Sequence, residues 1–98
     1  MTERLALLGQ LEAKPGAGEQ LAAVLESARA LAAAETGTVS WYAFRISDTR
    51  FGIFDTFDTE EGRQAHLNGE IPAALGQVAN ELLATAPDIQ PIDIIAVK

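Results

Sequence analysis

The six aromatic residues of this 98-residue chain, Trp41, Tyr42, Phe44, Phe51, Phe54 and Phe57, all fall between positions 41 and 57. They occupy two strand-like runs, residues 39–46 and 50–57, on either side of Ser47-Asp48-Thr49. Serine and aspartate hydrogen-bond to their own backbone and so favour turns, which makes the pair a hairpin. Aromatic side chains bury large areas. The core must therefore assemble on one face of this hairpin, with alanine and leucine filling in around it. Side chains alternate between faces along a strand, so the register decides which aromatics lie inside. Placing Tyr42 opposite Asp55 gathers Tyr42, Phe44, Ile46, Phe51, Ile53, Asp55 and Phe57 on the face that helices would cover. The other face then carries Trp41, Ala43, Arg45, Gly52, Phe54 and Thr56. A slip of one residue would exchange Trp41 and Tyr42.

The remaining chain supplies the cover. Residues 4–13 alternate as a strand, with Leu5, Leu7, Gly9 and Leu11 on one side. Lys14-Pro15-Gly16-Ala17-Gly18 reads as a turn. Leu21, Val24, Leu25, Ala28, Leu31 and Ala32 recur at the spacing of one helical stripe, which predicts a helix over 19–35. Gly37 suits a left-handed cap after it. Beyond the hairpin, Asp58 is placed to cap a short helix ending near Leu67, with Glu61 in the capping-box position. Asn68-Gly69 breaks that helix. Pro72 suits the first turn of another over 72–85. Residues 89–97 form the last strand, with Pro91 near its start, as an edge strand allows. Strand, helix, strand, strand, broken helix, strand is the split βαβ plan. It predicts an α+β, ferredoxin-like, four-stranded antiparallel sheet with helices on one face, as a single domain over 1–98. Leu8, Trp41, Phe54, Ile95 and Val97 are then left on the uncovered face. An exposed apolar sheet of that kind marks an interface, so a homodimer with sheets packed face to face is expected.

Charge narrows the partners. The net charge is −7, and the seven basic residues are scattered rather than gathered into a stripe. Nucleic-acid binding and attachment to an anionic membrane both need clustered positive charge, so neither is expected. No stretch approaches the ~20 apolar residues of a membrane span, and the run after Met1 is too short for a signal peptide. There is no cysteine, hence no disulfide and no thiolate nucleophile. These features together suggest a soluble, cytoplasmic protein whose partners are a small molecule and a second copy of itself.

His66, the only histidine, is the one side chain expected to titrate near neutrality without perturbation. It is a candidate general base; the alternative is a capping or surface histidine packed on the sheet. A metal site would pair it with Glu70, but Gly69 breaks the helix between them and no second histidine exists, so no metal is expected. In the chosen register Tyr42 and Asp55 face each other. Tyr42 could then donate to a substrate oxygen while Asp55 orients His66, or the two could simply satisfy one another. Phe44, Phe51 and Phe57 are candidates both for the core and for the lining of a substrate pocket. Trp41, Arg45 and Phe54 are candidate dimer contacts, with Arg45 seeking a carboxylate across the interface.

The element order, the Lys14-Pro15-Gly16 turn and the stretch from Phe54 to His66 resemble the antibiotic biosynthesis monooxygenase family, small proteins that form dimeric α+β barrels. The family's stretch reads aromatic-x-x-Trp-x-Ser/Thr-x-x-Ala-x-x-x-His. Phe54, Thr59 and His66 match it; Phe57 stands in place of the tryptophan and Gly62 in place of the alanine. The resemblance implies a cofactor-independent monooxygenase acting on a small aromatic or quinol-like substrate, with His66 as base, Tyr42 as orienting donor and neither metal nor flavin. It also admits a non-catalytic small-molecule-binding dimer, or an isomerase-type proton shuttle. The haem-degrading branch carries an asparagine on the first strand and a tryptophan on the third. Here the first strand has Gln10 and the third has no tryptophan, which argues against haem degradation.

Overall fold

Strands that alternate apolar and polar can bury one face only if helices lie across it, and the chain folds accordingly. The computed structural model describes residues 4–98. In chain order the elements are β1 (Leu5–Glu12), α1 (Gly18–Ala34), β2 (Thr38–Arg45), β3 (Arg50–Phe57), α2 (Glu60–Leu67), α3 (Glu70–Leu82) and β4 (Asp88–Asp93). The strands pair antiparallel throughout, in the order β2-β3-β1-β4. This is the ferredoxin-like α+β fold. Leu11, Phe51 and Ile53 from the sheet pack with Leu21, Leu25, Ala28 and Ala32 of α1 and with Ile71, Leu75 and Leu82 of α3. Among the described residues no helix is long and apolar enough to cross a membrane. Residues 1–3, which entered the signal-peptide argument, lie outside the described part.

The hairpin register differs from the expected one by a single residue. Trp41, not Tyr42, lies opposite Asp55, and the pairing continues Tyr42↔Phe54, Ala43↔Ile53, Phe44↔Gly52 and Arg45↔Phe51. The turn explains the shift. The Ile46 backbone N–H donates to Arg50 O at 2.8 Å, and Ser47 Oγ accepts from Arg50 N at 3.0 Å. These bonds close the turn over Ser47-Asp48-Thr49, an odd number of residues, where the expected register needs an even one. At the far end of β2 the register shifts by one further residue between Thr38 and Ser40, from Ser40↔Thr56 to Thr38↔Phe57.

Every face assignment on β2 therefore inverts. Tyr42 is on the outer face and 60% exposed, as is Phe44 at 38%. The Phe44 ring lies over Gly52, where a Cβ would meet it at 2.3 Å. Trp41 and Arg45, expected on the outer face, are on the helix side. Arg45 sits 5.0 Å above the Phe51 ring and donates to Glu19 of its own chain at 2.8 Å, rather than reaching across an interface. The β3 residues are unaffected: Phe51, Asp55 and Phe57 are buried on the helix side and Phe54 is half-buried on the outer face.

Two caps also differ. Gly16 (φ 84) is the one positive-φ residue among those described, so Gly37 is not a left-handed cap. Its role is contact: a Cβ on Gly37 would lie 2.8 Å from Gly62 Cα, and one on Gly62 would lie 2.8 Å from Gly37 O. Thr59 rather than Asp58 caps α2, its Oγ1 accepting from Gly62 N at 3.0 Å. α3 starts at Glu70, which still puts Pro72 in its first turn, and β4 stops at Asp93 instead of running to 97.

The Gly37–Gly62 contact gives a test with an unusual sign. Alanine is a better helix former than glycine by about 1 kcal/mol. Gly62→Ala nevertheless has to push backbone away from backbone, a misfit that costs about 1–3 kcal/mol. Urea unfolding should find Gly62→Ala less stable than the wild type; a more stable variant would show that α2 is not held this close.

Candidate active site

The site begins with what α2 buries. Only Gly62 and His66 of that helix are buried, and they are one turn apart on the same face. Gly62, lacking a side chain, lets α2 settle on the α1–β2 connection at Gly37. His66 is thereby delivered into the sheet, between the residue that ends α1 and the middle of β3. Its Nδ1 lies 2.7 Å from Glu35 Oε1 and its Nε2 lies 2.9 Å from Asp55 Oδ2. Thr38 Oγ1 donates to the same Glu35 oxygen at 2.7 Å. The Phe57 ring lies against the imidazole with centroids 5.5 Å apart. His66 is 6% exposed and Asp55 only 1%.

Burial alone would lower the His66 pKa, since it disfavours charge. The hydrogen bonds to Asp55 and Glu35 and the charges of both carboxylates outweigh it and raise the pKa from 6.5 to about 9. At neutral pH both ring nitrogens are therefore protonated and both donate. Asp55 Oδ1 is buried and has no hydrogen-bond partner among the described residues. Trp41 Nε1, on the residue directly across from Asp55, is likewise buried without a partner among the described residues.

A hollow of about 30 Å³ adjoins this cluster between the sheet and the two later helices. Leu7, Ile53, Ile71, Leu75 and Ile89 line it together with Asp55 and His66. That volume suits one water-sized molecule. Of the residues expected to form the site, the structure brings together His66, Asp55 and Phe57. Phe51 is in the core farther along β3. Tyr42 and Phe44 are on the far side of the sheet and reach neither His66 nor the hollow. Glu35 and Thr38 were not anticipated. A signal existed for Glu35: a carboxylate at a helix C-terminus opposes the helix dipole, so it needs a compensating partner. No group of three or more His, Cys, Asp or Glu side chains that could hold a metal occurs among the described residues.

The fold defines a class, the ferredoxin-like α+β proteins, and in this chain α2 brings a buried histidine against the sheet. Comparison with known proteins narrows it. The chain is 49% identical to a protein of unknown function from Nitrosomonas europaea, with TM-score 0.95 over 98% of this chain and 93% of that one. A second Nitrosomonas europaea protein, which carries the name antibiotic biosynthesis monooxygenase, superposes with TM-score 0.79 at 12% identity over 90% and 95%. SnoaB, a cofactor-independent oxygenase from Streptomyces nogalater, superposes with TM-score 0.79 at 11% identity over 98% and 97%. The last two share the fold. No family model and no curated protein matches the chain. The chain belongs to one family with its 49%-identical Nitrosomonas europaea relative, and it shares the fold of antibiotic biosynthesis monooxygenase-like structures.

The clamp has a pH signature. A group whose pKa is higher in the folded than in the unfolded chain stabilises the fold while it holds its proton. The His66 contribution is thus full below about pH 6.5 and is lost as pH rises through about 9. Urea midpoints should fall across that interval in the wild type. In His66→Gln, which leaves two carboxylates without their counter-charge, stability at pH 6.5 should drop by about 3–5 kcal/mol and the fall above it should vanish. An unchanged pH slope in the variant would contradict the assignment.

Proposed function

We propose that the chain acts as a homodimer and oxygenates a small aromatic or quinol-like substrate without metal or flavin. The observation that carries this reading is Asp55, which lines an apolar hollow together with His66 and keeps a buried Oδ1 without a partner among the described residues. In the reaction, a substrate hydroxyl gives its proton to Asp55. The electron-rich anion that forms passes an electron to dioxygen, and the radical pair combines into a peroxide at carbon. Asp55 returns its proton to the peroxide, and elimination of water, which takes the hydrogen from the same carbon as the O–O bond breaks, leaves a carbonyl; one oxygen atom stays in the product and the other departs as water. His66 lines the same hollow and is hydrogen-bonded to Asp55. It holds that carboxylate in place and, already positive, offsets the negative charge as it develops. The shared fold of SnoaB, itself a cofactor-independent oxygenase, supports the reading.

A second reading, a small-molecule-binding dimer without catalysis, is favoured by one feature of the structure. The hollow at Asp55 holds about 30 Å³, whereas pockets for small ligands run to roughly 300 Å³ and more. Catalysis requires α2 and α3 to lift from the sheet; binding elsewhere does not. Oxygen uptake with a panel of hydroquinones and anthrones separates the two. Catalysis predicts uptake by the wild type and a loss of about 10²-fold or more in Asp55→Asn. No uptake with any of the panel leaves the binding reading, and uptake unchanged in Asp55→Asn removes Asp55 from the chemistry.

The dimer rests on the outer face. All helices lie on the other side of the sheet, leaving Tyr42, Phe44 and the half-buried Leu8 and Phe54 without cover, with Ile95 93% exposed beyond β4. Two copies packing these faces would bury them. Analytical ultracentrifugation at micromolar concentration should show a dimer that Phe54→Arg converts to monomer. A wild-type monomer would overturn the assembly.

A further inference from the structure

A larger cavity lies away from the Asp55–His66 cluster. It is a cleft of about 420 Å³ between α1 and the edge strand β2, and its walls include Leu25, Arg29, Trp41, Arg45 and Phe51. Its size falls within the usual range for small-molecule sites, and its walls combine flat apolar surface with a few polar groups, as such sites do. Trp41 meets the cleft with its ring rather than its N–H, because Nε1 is buried. Arg45 is pinned: stacked 5.0 Å above Phe51 and paired with Glu19, it forms a preset wall. Arg29 differs. It is exposed on α1 and makes no ion pair among the described residues, in a chain whose net charge is −7. An arginine kept free beside a tryptophan ring, while the rest of the surface repels anions, fits an anionic oxygen at the edge of a flat ring.

We infer that the α1–β2 cleft is a second ligand site, which takes a planar aromatic molecule bearing a carboxylate or phenolate. The ring lies against Trp41 and Leu25, and the anionic oxygen pairs with Arg29. Glu26 also lines the cleft and sets its selectivity, repelling a second negative charge on the ligand. The site stands whether or not the chain oxidises anything, since none of the cleft residues named here is in the His66 cluster.

The single tryptophan makes the test direct, because the chain has one indole N–H. Nitrogen-15 spectra would be recorded during titration with 2-naphthoate and, separately, with uncharged 2-naphthalenemethanol. The Trp41 indole peak and amides of α1 and β2 should shift saturably with the acid, and the alcohol should bind about fivefold more weakly, as expected for one partly exposed ion pair. Arg29→Gln, a surface change that leaves the core intact, should bring the acid to the level of the alcohol and leave the alcohol unaltered. The inference is overturned if the Trp41 peak stays still up to about 10 mM acid, a range that already covers weak ligands. It is overturned equally if acid and alcohol bind alike, or if Arg29→Gln leaves the acid's affinity unchanged.

Discussion

One imidazole shared by two carboxylates ties together three parts of the chain that the sequence keeps far apart. Glu35 ends the first helix, Asp55 is in the middle of β3, and His66 closes α2. Charges are costly to bury, and a buried ion pair need not add net stability over a well-packed apolar one. Such a cluster does constrain arrangement, because each member needs its partners at hydrogen-bond distance. It fixes how far along the sheet α2 may sit and which way it may turn. The Gly37–Gly62 contact is the steric condition for that placement. A side chain at either glycine would hold the helix away, and His66 would stop short of Asp55.

The sheet then separates two environments. On the helix side, Trp41, Phe51, Asp55 and Phe57 lie beneath α1 and α2, with the small hollow on one side and the α1–β2 cleft on the other. On the outer side, Tyr42, Phe44 and Phe54 form an aromatic surface with no helix over it. A chain this small buries only about two-thirds of the surface its unfolded form exposes. It can build a charged buried site only by giving up core volume, and pairing of its outer face with a second copy would compensate. The proposed proton chemistry and the proposed ring binding thus fall in different places. Trp41, cross-strand from Asp55 and on the wall of the cleft, is where the two places meet.

The element order and the ferredoxin-like plan were legible because they depend on periodicity. The stripe from Leu21 to Ala32 and the alternation from Leu5 to Leu11 each bury the side their spacing indicates. The hairpin register was not, and the reason is physical. Tyr42, Phe44 and Ile46 make a bulkier set than Trp41, Ala43 and Arg45, so packing on one strand alone favours the wrong face. The deciding element is the parity of the turn, set by the hydroxyl of Ser47 and the Ile46–Arg50 bond. Gly37 was legible as a special position, but its purpose is close approach rather than unusual dihedrals. His66 and Asp55 could be named from the sequence, whereas Glu35 could not be joined to them, because the contact depends on how α1 and α2 meet.

His66 is the only histidine, so its ionisation can be followed without ambiguity. The most direct measurement is its ring nitrogen-15 and carbon-13 shifts, recorded as a function of pH in the folded protein. The account predicts a doubly protonated ring at pH 7 and a midpoint near 9. A neutral ring at pH 7, with a midpoint at or below the ordinary value of about 6.5, would mean that Glu35 and Asp55 do not hold it, and the account would fail at its centre.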